Sequence, residues 1–290
     1  MGRRMTVSKQ LKQRILFGSL GLFLIAISIY YSYSPYFKPL FVILNAGIGC
    51  LALNEYFGLA KNKGLSPIAL PSLVTTLLYF AAISLTKPSA LASGLPTFTL
   101  LCASVVFFLI AFNERKDALT NVACTFFGIG YLIIPLSCIL RINYFFPEES
   151  LQDGRLWLAY VLLVSKITDI GAYFAGKILG KNKLAPLISP QKTIEGSIGG
   201  ITAALCASLL FVWIFSGPAF RMNLFDSIWL GLIISVMAQL GDLSESLLKR
   251  DAGVKDSSHL PGLGGMLDVV DSLVFTLPLM YLLLEMHIVG

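Results

Sequence analysis

Nine apolar windows punctuate the chain, at residues 16–33, 40–59, 68–85, 97–112, 118–140, 156–176, 197–215, 227–240 and 269–289. The hydrocarbon core of a bilayer takes about 20 residues of helix, and runs of about 17–25 are usual. Backbone groups in that core must find partners within the chain, so windows of this kind can fold there only as helices. With 56% of its 290 residues hydrophobic and 13% charged, against about 25% charged in a soluble domain, the chain reads as an all-α integral membrane protein. The expected architecture is a polytopic helical bundle of about nine transmembrane helices.

A net charge of +6 does not point to nucleic acid here, because the cations follow the loops and form no basic face. Counted from an inside N-terminus, one set of loops holds Arg3, Arg4, Lys9, Lys12, Arg14, Lys61, Lys63, Arg115, Lys116, Lys177, Lys181, Lys183, Lys192, Lys249, Arg250 and Lys255. The other set has only Lys38, Lys87, Arg141, Arg155 and Arg221. Lysine and arginine accumulate on the cytoplasmic side, which predicts a cytoplasmic N-terminus in the inner membrane and an uncleaved first span. It also puts the polar loops 177–196 and 241–268 in the cytoplasm. The expected division is a membrane bundle over 1–140 (about five spans), an extracytoplasmic loop over 141–155 and a working membrane region over 156–290 (about four spans). Cys50, Cys102, Cys124, Cys138 and Cys206 all lie in apolar runs and read as reduced core residues.

Between the last two windows, residues 239–272 concentrate six carboxylates, three cations and five glycines. Carboxylates at a bilayer edge are costly unless paired, hydrated or bound to metal. Asp242, Glu245 and Lys249 recur at helical spacing, which a solvated helix end with a Glu245–Lys249 pair would also explain. Gly253, Lys255 and Asp256 lead to Pro261, Gly262, Leu263, Gly264 and Gly265, a run that breaks a helix and lets backbone approach a ligand. Asp268 and Asp271 follow one turn apart at the start of the last helix. Paired acids suit a hard divalent cation that also grips phosphate, and glycines entering a helix offer N–H groups to the phosphate itself.

Two further places carry chemistry. Lys166 and Asp169 sit inside the sixth window, Asp169 roughly two turns, about 10 Å, from its cytoplasmic end; they read either as a functional site or as an internal i, i+3 ion pair. The run Ser189-Pro190-Gln191-Lys192-Thr193-Ile194-Glu195-Gly196 joins a lysine and hydroxyls to a glycine-rich helix entry, which suits phosphate but does not have the order of a P-loop. In the first half the one polar intrusion is Asn54-Glu55, with Glu55 expected to meet Lys61 or Lys63.

The order S-x-x-K-R-x4-K-D followed by P-G-x-G-G-x-L-D-x-x-D-S, carried here from Ser246 to Ser272, resembles the signature of the phosphatidate cytidylyltransferases, or CDP-diacylglycerol synthases. Asp169, Gly171, Ala172 and Tyr173 resemble that family's D-x-G-A-Y element, and 189–200 resembles its S-P-x-K-T-x-E-G-x-x-G-G motif. Leu263 and Val269 stand where the family usually has His and Arg.

The resemblance implies a cytoplasmic-side active site that joins CTP to phosphatidic acid, giving CDP-diacylglycerol and pyrophosphate, with magnesium and a companion potassium as cofactors. It implies Asp242, Asp268, Lys192 and Lys255 as catalytic residues, and Asp242, Asp268 and Asp271 as metal ligands with Asp169 as a further ligand or its partner. Ser189, Thr193, Glu195, Lys249, Arg250, Asp256, Gly262, Gly264 and Gly265 would hold nucleotide and phosphates, and His259 would be structural. Family members suggest a homodimer in membrane lipid. The rival readings are another CTP-dependent membrane enzyme, acting on an isoprenoid-ether lipid or a lipid alcohol, and a secondary transporter, which would place its ions at the midplane between repeated halves.

Overall fold

The computed structural model describes residues 24–86, 94–112, 117–147, 149–254 and 265–289. A helix over 24–31 (α1) leads to α2 (Lys38–Asn62), α3 (Ala69–Leu85), α4 (Gly94–Ala111) and α5 (Ala118–Gly128). A π-helical turn, Ile129–Ile133, joins α5 to α6 (Ile134–Asn143) without a break. Then come α7 (Gly154–Leu179), strands β1 (Lys183–Ala185) and β2 (Ser189–Thr193), α8 (Ile194–Phe215), α9 (Leu224–Asp251), α10 (Met266–Val270) and α11 (Leu273–Glu285).

Among the described residues seven helices are long and apolar enough to cross a membrane, and α3, at 17 residues, is a shorter apolar helix. The protein is therefore an all-α polytopic membrane protein, though the described spans do not number nine. The first predicted window, 16–33, is described only from residue 24, where α1 begins.

Local chemistry sets the helix ends. Thr193 caps α8 by accepting from Gly196 N at 3.1 Å, and Asn223 caps α9 by accepting from Asp226 N at 2.7 Å, each satisfying a first-turn N–H that has no intrahelical partner. Pro135 starts α6 directly after the π turn. Lacking an N–H, and crowding the carbonyl four residues back, it is relieved by the wider turn.

Two predicted loops are largely regular structure. Residues 241–251 continue α9 in place of starting a loop, so Asp242, Glu245, Lys249 and Arg250 are all on one helix. Within 177–196 an antiparallel hairpin pairs Lys183 with Thr193 and Ala185 with Ser189, a feature absent from an all-helical reading. The helix before it runs on to Leu179, placing Asp169 nearly three turns from its end.

Small residues bring α7 and α8 together. A Cβ added at Gly199 would collide with that of Ala175, and one at Gly171 with that of Ala203, so the backbones meet closely, as in helix pairs within lipid. Gly241 does the same for α9. A Cβ there would strike the Asp271 carbonyl oxygen, so only glycine lets α9 lie directly against the α10–α11 junction.

The first half braces the second. Glu55 accepts from the backbone N–H groups of Met266 at 2.9 Å and Leu267 at 2.8 Å, at the start of α10. Lys63 pairs with Asp251 at the end of α9, at 2.9 Å. The expectation that Glu55 would meet Lys61 or Lys63 is thus replaced: the exposed Lys63 finds the nearer helix end, and Glu55 is drawn to free N–H groups and the positive end of α10.

Candidate active site

Where α7, α8, α9 and β2 converge they enclose a cavity of about 330 Å³. Asp169 and Tyr173 come from α7, Ser189, Lys192 and Thr193 from β2, and Asp242 from α9. Lys192 Nζ lies 2.7 Å from Asp242 Oδ2. Ser197 on α8 donates to Gln239 Oε1 at 2.5 Å, tying the cavity's α8 wall to α9 one turn before Asp242.

Behind the cavity the acids converge. Asp242, Glu245 and Asp271 each bring a carboxylate oxygen into a group within 4.8 Å of one another. Glu245 is fully buried; its Oε2 lies 2.5 Å from Lys249 Nζ, and its Oε1 accepts no hydrogen bond among the described residues. Lys249 also reaches Asp268 Oδ1 at 2.5 Å, while Asp268 Oδ2 accepts from Gly265 N at 3.0 Å to close the first turn of α10. Lys166 donates to the Val269 carbonyl at 2.8 Å and to Ser272 Oγ at 2.9 Å, and lies 3.5 Å from Asp169. The i, i+3 pair is therefore real, but the lysine also fastens α7 to the α10–α11 junction. Asp169 and Asp242 are both within electrostatic range of Asp271.

This donor set suits a metal. Among the described residues Asp242, Glu245 and Asp271 bring three carboxylate oxygens within 4.8 Å of one another, with Glu245 and Asp271 buried. Buried charge of that kind is destabilising unless partnered. Hard carboxylate oxygens grouped in this way are what a divalent cation takes. The described residues can therefore hold a metal ion at this point.

Other candidates have different surroundings. Glu195 accepts from Lys181 N at 3.1 Å, Asn182 N at 3.2 Å and Asn182 Nδ2 at 2.7 Å, so its carboxylate holds the start of the hairpin. Arg250 Nε donates to the Ile188 carbonyl at 3.1 Å, pinning the hairpin turn to α9. Lys255, Asp256, His259, Gly262 and Gly264 lie outside the described residues.

Two residues were invisible to motif reasoning. Glu245 was placed on one face with Asp242 and Lys249 by its helical spacing, but was not among the expected metal ligands. Tyr131, on the π turn, has a buried hydroxyl with no hydrogen bond among the described residues, within electrostatic range of Glu245, Asp271 and Asp242. Its only sequence signal is Pro135 four residues later, and π turns of this kind recur at functional sites.

Acids able to hold a metal, beside a lysine- and hydroxyl-lined cavity at one end of a helical membrane bundle, define a membrane-embedded enzyme of phosphoryl or nucleotidyl chemistry. Comparison with known proteins narrows this. Residues 12–287 match the model of the cytidylyltransferase family. The chain is 36% identical over 284 residues to a phosphatidate cytidylyltransferase of Bacillus subtilis, covering 95% of this chain and 98% of the relative. It is 34% identical over 253 residues to one of Synechocystis, covering 80% and 83%, and 46% identical over 144 residues to one of Staphylococcus aureus, covering 49% and 54%. The chain belongs to the cytidylyltransferase family and is a nucleotidyltransferase.

Proposed function

We propose that the protein condenses CTP with phosphatidic acid to CDP-diacylglycerol and pyrophosphate at the cavity between α7, α8, α9 and β2. A phosphatidate oxygen forms the new bond to the α-phosphorus of CTP. The bond from that phosphorus to the bridging oxygen of the β-phosphate breaks, and pyrophosphate leaves with the electron pair. The attacking oxygen is already an anion, so no side-chain nucleophile is required. The protein's work is positioning and charge neutralisation.

Asp242 and Asp271, with Glu245, would hold magnesium, Asp169 and Asp268 standing close by as further ligands or their partners, and potassium as a companion ion. Bound there, a divalent cation would neutralise phosphate oxygens and align both substrates. Lys192, Ser189 and Thr193 present an ammonium and two hydroxyls to the triphosphate. Lys249 holds Glu245 and Asp268 in place, and Arg250 and Glu195 keep the hairpin that carries Lys192 against α9 and α8. Lys255, Asp256, Gly262, Gly264 and Gly265 would complete the nucleotide site. The lysine and arginine bias supports an inner-membrane protein with a cytoplasmic N-terminus, a bracing region over 1–140, an outer loop over 141–155 and a catalytic region over 156–290. A homodimer completes the reading.

The observation that carries it is the acidic group of Asp242, Glu245 and Asp271 directly behind a cavity whose wall includes Asp242 and Lys192. Radiolabelled CTP and phosphatidic acid incubated with purified protein should give labelled lipid and equimolar pyrophosphate, abolished by a chelator and restored by magnesium. Chelator-resistant product, or label passing only to an isoprenoid-ether lipid or a lipid alcohol, would overturn it.

A further inference from the structure

The hairpin has a second face that the chemistry above does not use. β2 turns Ser189, Lys192 and Thr193 into the cavity, whereas the turn before it carries Leu187 at 93% exposure, with Leu184 on β1 also exposed. Exposed Lys181 and Lys183 flank this apolar tip on the β1 side. The neighbouring stretch of α7 continues the pattern, with Tyr173, Phe174, Ile178 and Leu179 all exposed and Lys177 among them. Tyr173, Lys177 and Leu184 also line the cavity, so exposed side chains of α7 and of the hairpin meet at the rim of the site.

We propose that the β1–β2 turn is a membrane-contacting finger: Leu187 and Leu184 insert among the lipids of the bilayer in which the chain sits, and Lys181 and Lys183 engage anionic phospholipid head groups. This rests on the reading of a lipid phosphate as acceptor and sets the turn beside the cavity that takes it. Three features select lipid as the occupant. The surface meets exposed apolar residues of the spanning helix α7 at the cavity rim. Its charge is complementary to phosphate. Its form, an apolar tip ringed by lysines, is that of a segment lying in the head-group layer, where such side chains bury their stems and keep their ammonium groups wet. Arg250, donating to the Ile188 carbonyl at 3.1 Å, gives the finger a fixed base on α9.

The test uses Leu187→Cys in the full-length protein, labelled with an environment-sensitive fluorophore and reconstituted into vesicles of phosphatidylcholine with and without phosphatidylglycerol. Lipids spin-labelled at a shallow acyl position should quench the label, aqueous iodide should quench it several-fold less than a label at Lys63→Cys, and phosphatidylglycerol should strengthen the lipid quenching. In a separate assay Leu187→Asp should raise the KM for phosphatidic acid about tenfold and leave the KM for CTP and the melting temperature unchanged. Quenching by iodide alone, with an unaltered KM for phosphatidic acid, would overturn the finger. Because the quenching experiment needs no turnover, a protein that fails to use phosphatidic acid yet shows lipid quenching would refute the acceptor and leave the finger standing.

Discussion

Glu55 lies in the half of the chain that carries no recognised motif, yet it holds the start of the helix bearing Asp268. Its two oxygens accept from Met266 N at 2.9 Å and Leu267 N at 2.8 Å. Hydrogen bonds to a charged acceptor contribute about 1.5–3 kcal/mol each. Glu55→Ala should therefore cost about 3–6 kcal/mol locally, a large share of the roughly 5–15 kcal/mol by which a domain is stable. Because α10 is only five residues long, it has little helical cooperativity of its own to resist the loss. The loss should appear first as disorder of α10 and the acids on either side of it. Glu55→Gln keeps one strong acceptor oxygen and should lose about half as much. The assay pairs thermal unfolding in detergent with the magnesium dependence of CDP-diacylglycerol formation. Both variants should need more magnesium for half-maximal rate, in the order Ala above Gln above wild type. An alanine variant with wild-type magnesium dependence would refute the argument, whatever its melting temperature.

Two other substitutions probe the same junction. Gly241→Ala places a methyl group against the Asp271 carbonyl oxygen, and overpacking of this kind costs about 1–3 kcal/mol; it should lower the melting temperature and, by parting α9 from Asp271, reduce kcat more than the KM for CTP, which steady-state kinetics in detergent would show. Asp268→Asn leaves the Glu245–Lys249 pair intact, so the variant should insert and fold normally while losing lipid product, and full activity in product assays would remove Asp268 from the machinery.

Much of this arrangement was legible in the residues because hydropathy and helical spacing are local signals. The apolar windows from 40 onward recur as helices with shifted ends, and the spacing of Asp242, Glu245 and Lys249 gave their common face. The continuation of α9 to Asp251 was hidden because its last turns are polar, and polarity at a bilayer edge reads as loop. The hairpin escaped notice because its strands are three and five residues long, too short for alternation to register. Glu55 was misjudged for a different reason: its partners lie 211 and 212 residues away, and no spacing rule reaches that far.

If Asp242 takes the cation and Lys192 the triphosphate, as proposed, their 2.7 Å contact makes loading of this enzyme an exchange of partners. A cation arriving by itself would take the aspartate and leave an ammonium group bereft of its counter-ion. A triphosphate arriving by itself would take the ammonium and abandon the aspartate. Only when both come together does each released group find a replacement, so each ligand tightens the other's hold, by the same factor in either direction. With the ligand roles proposed above for Asp242 and Lys192, the resting ion pair would set a penalty on half-loaded states.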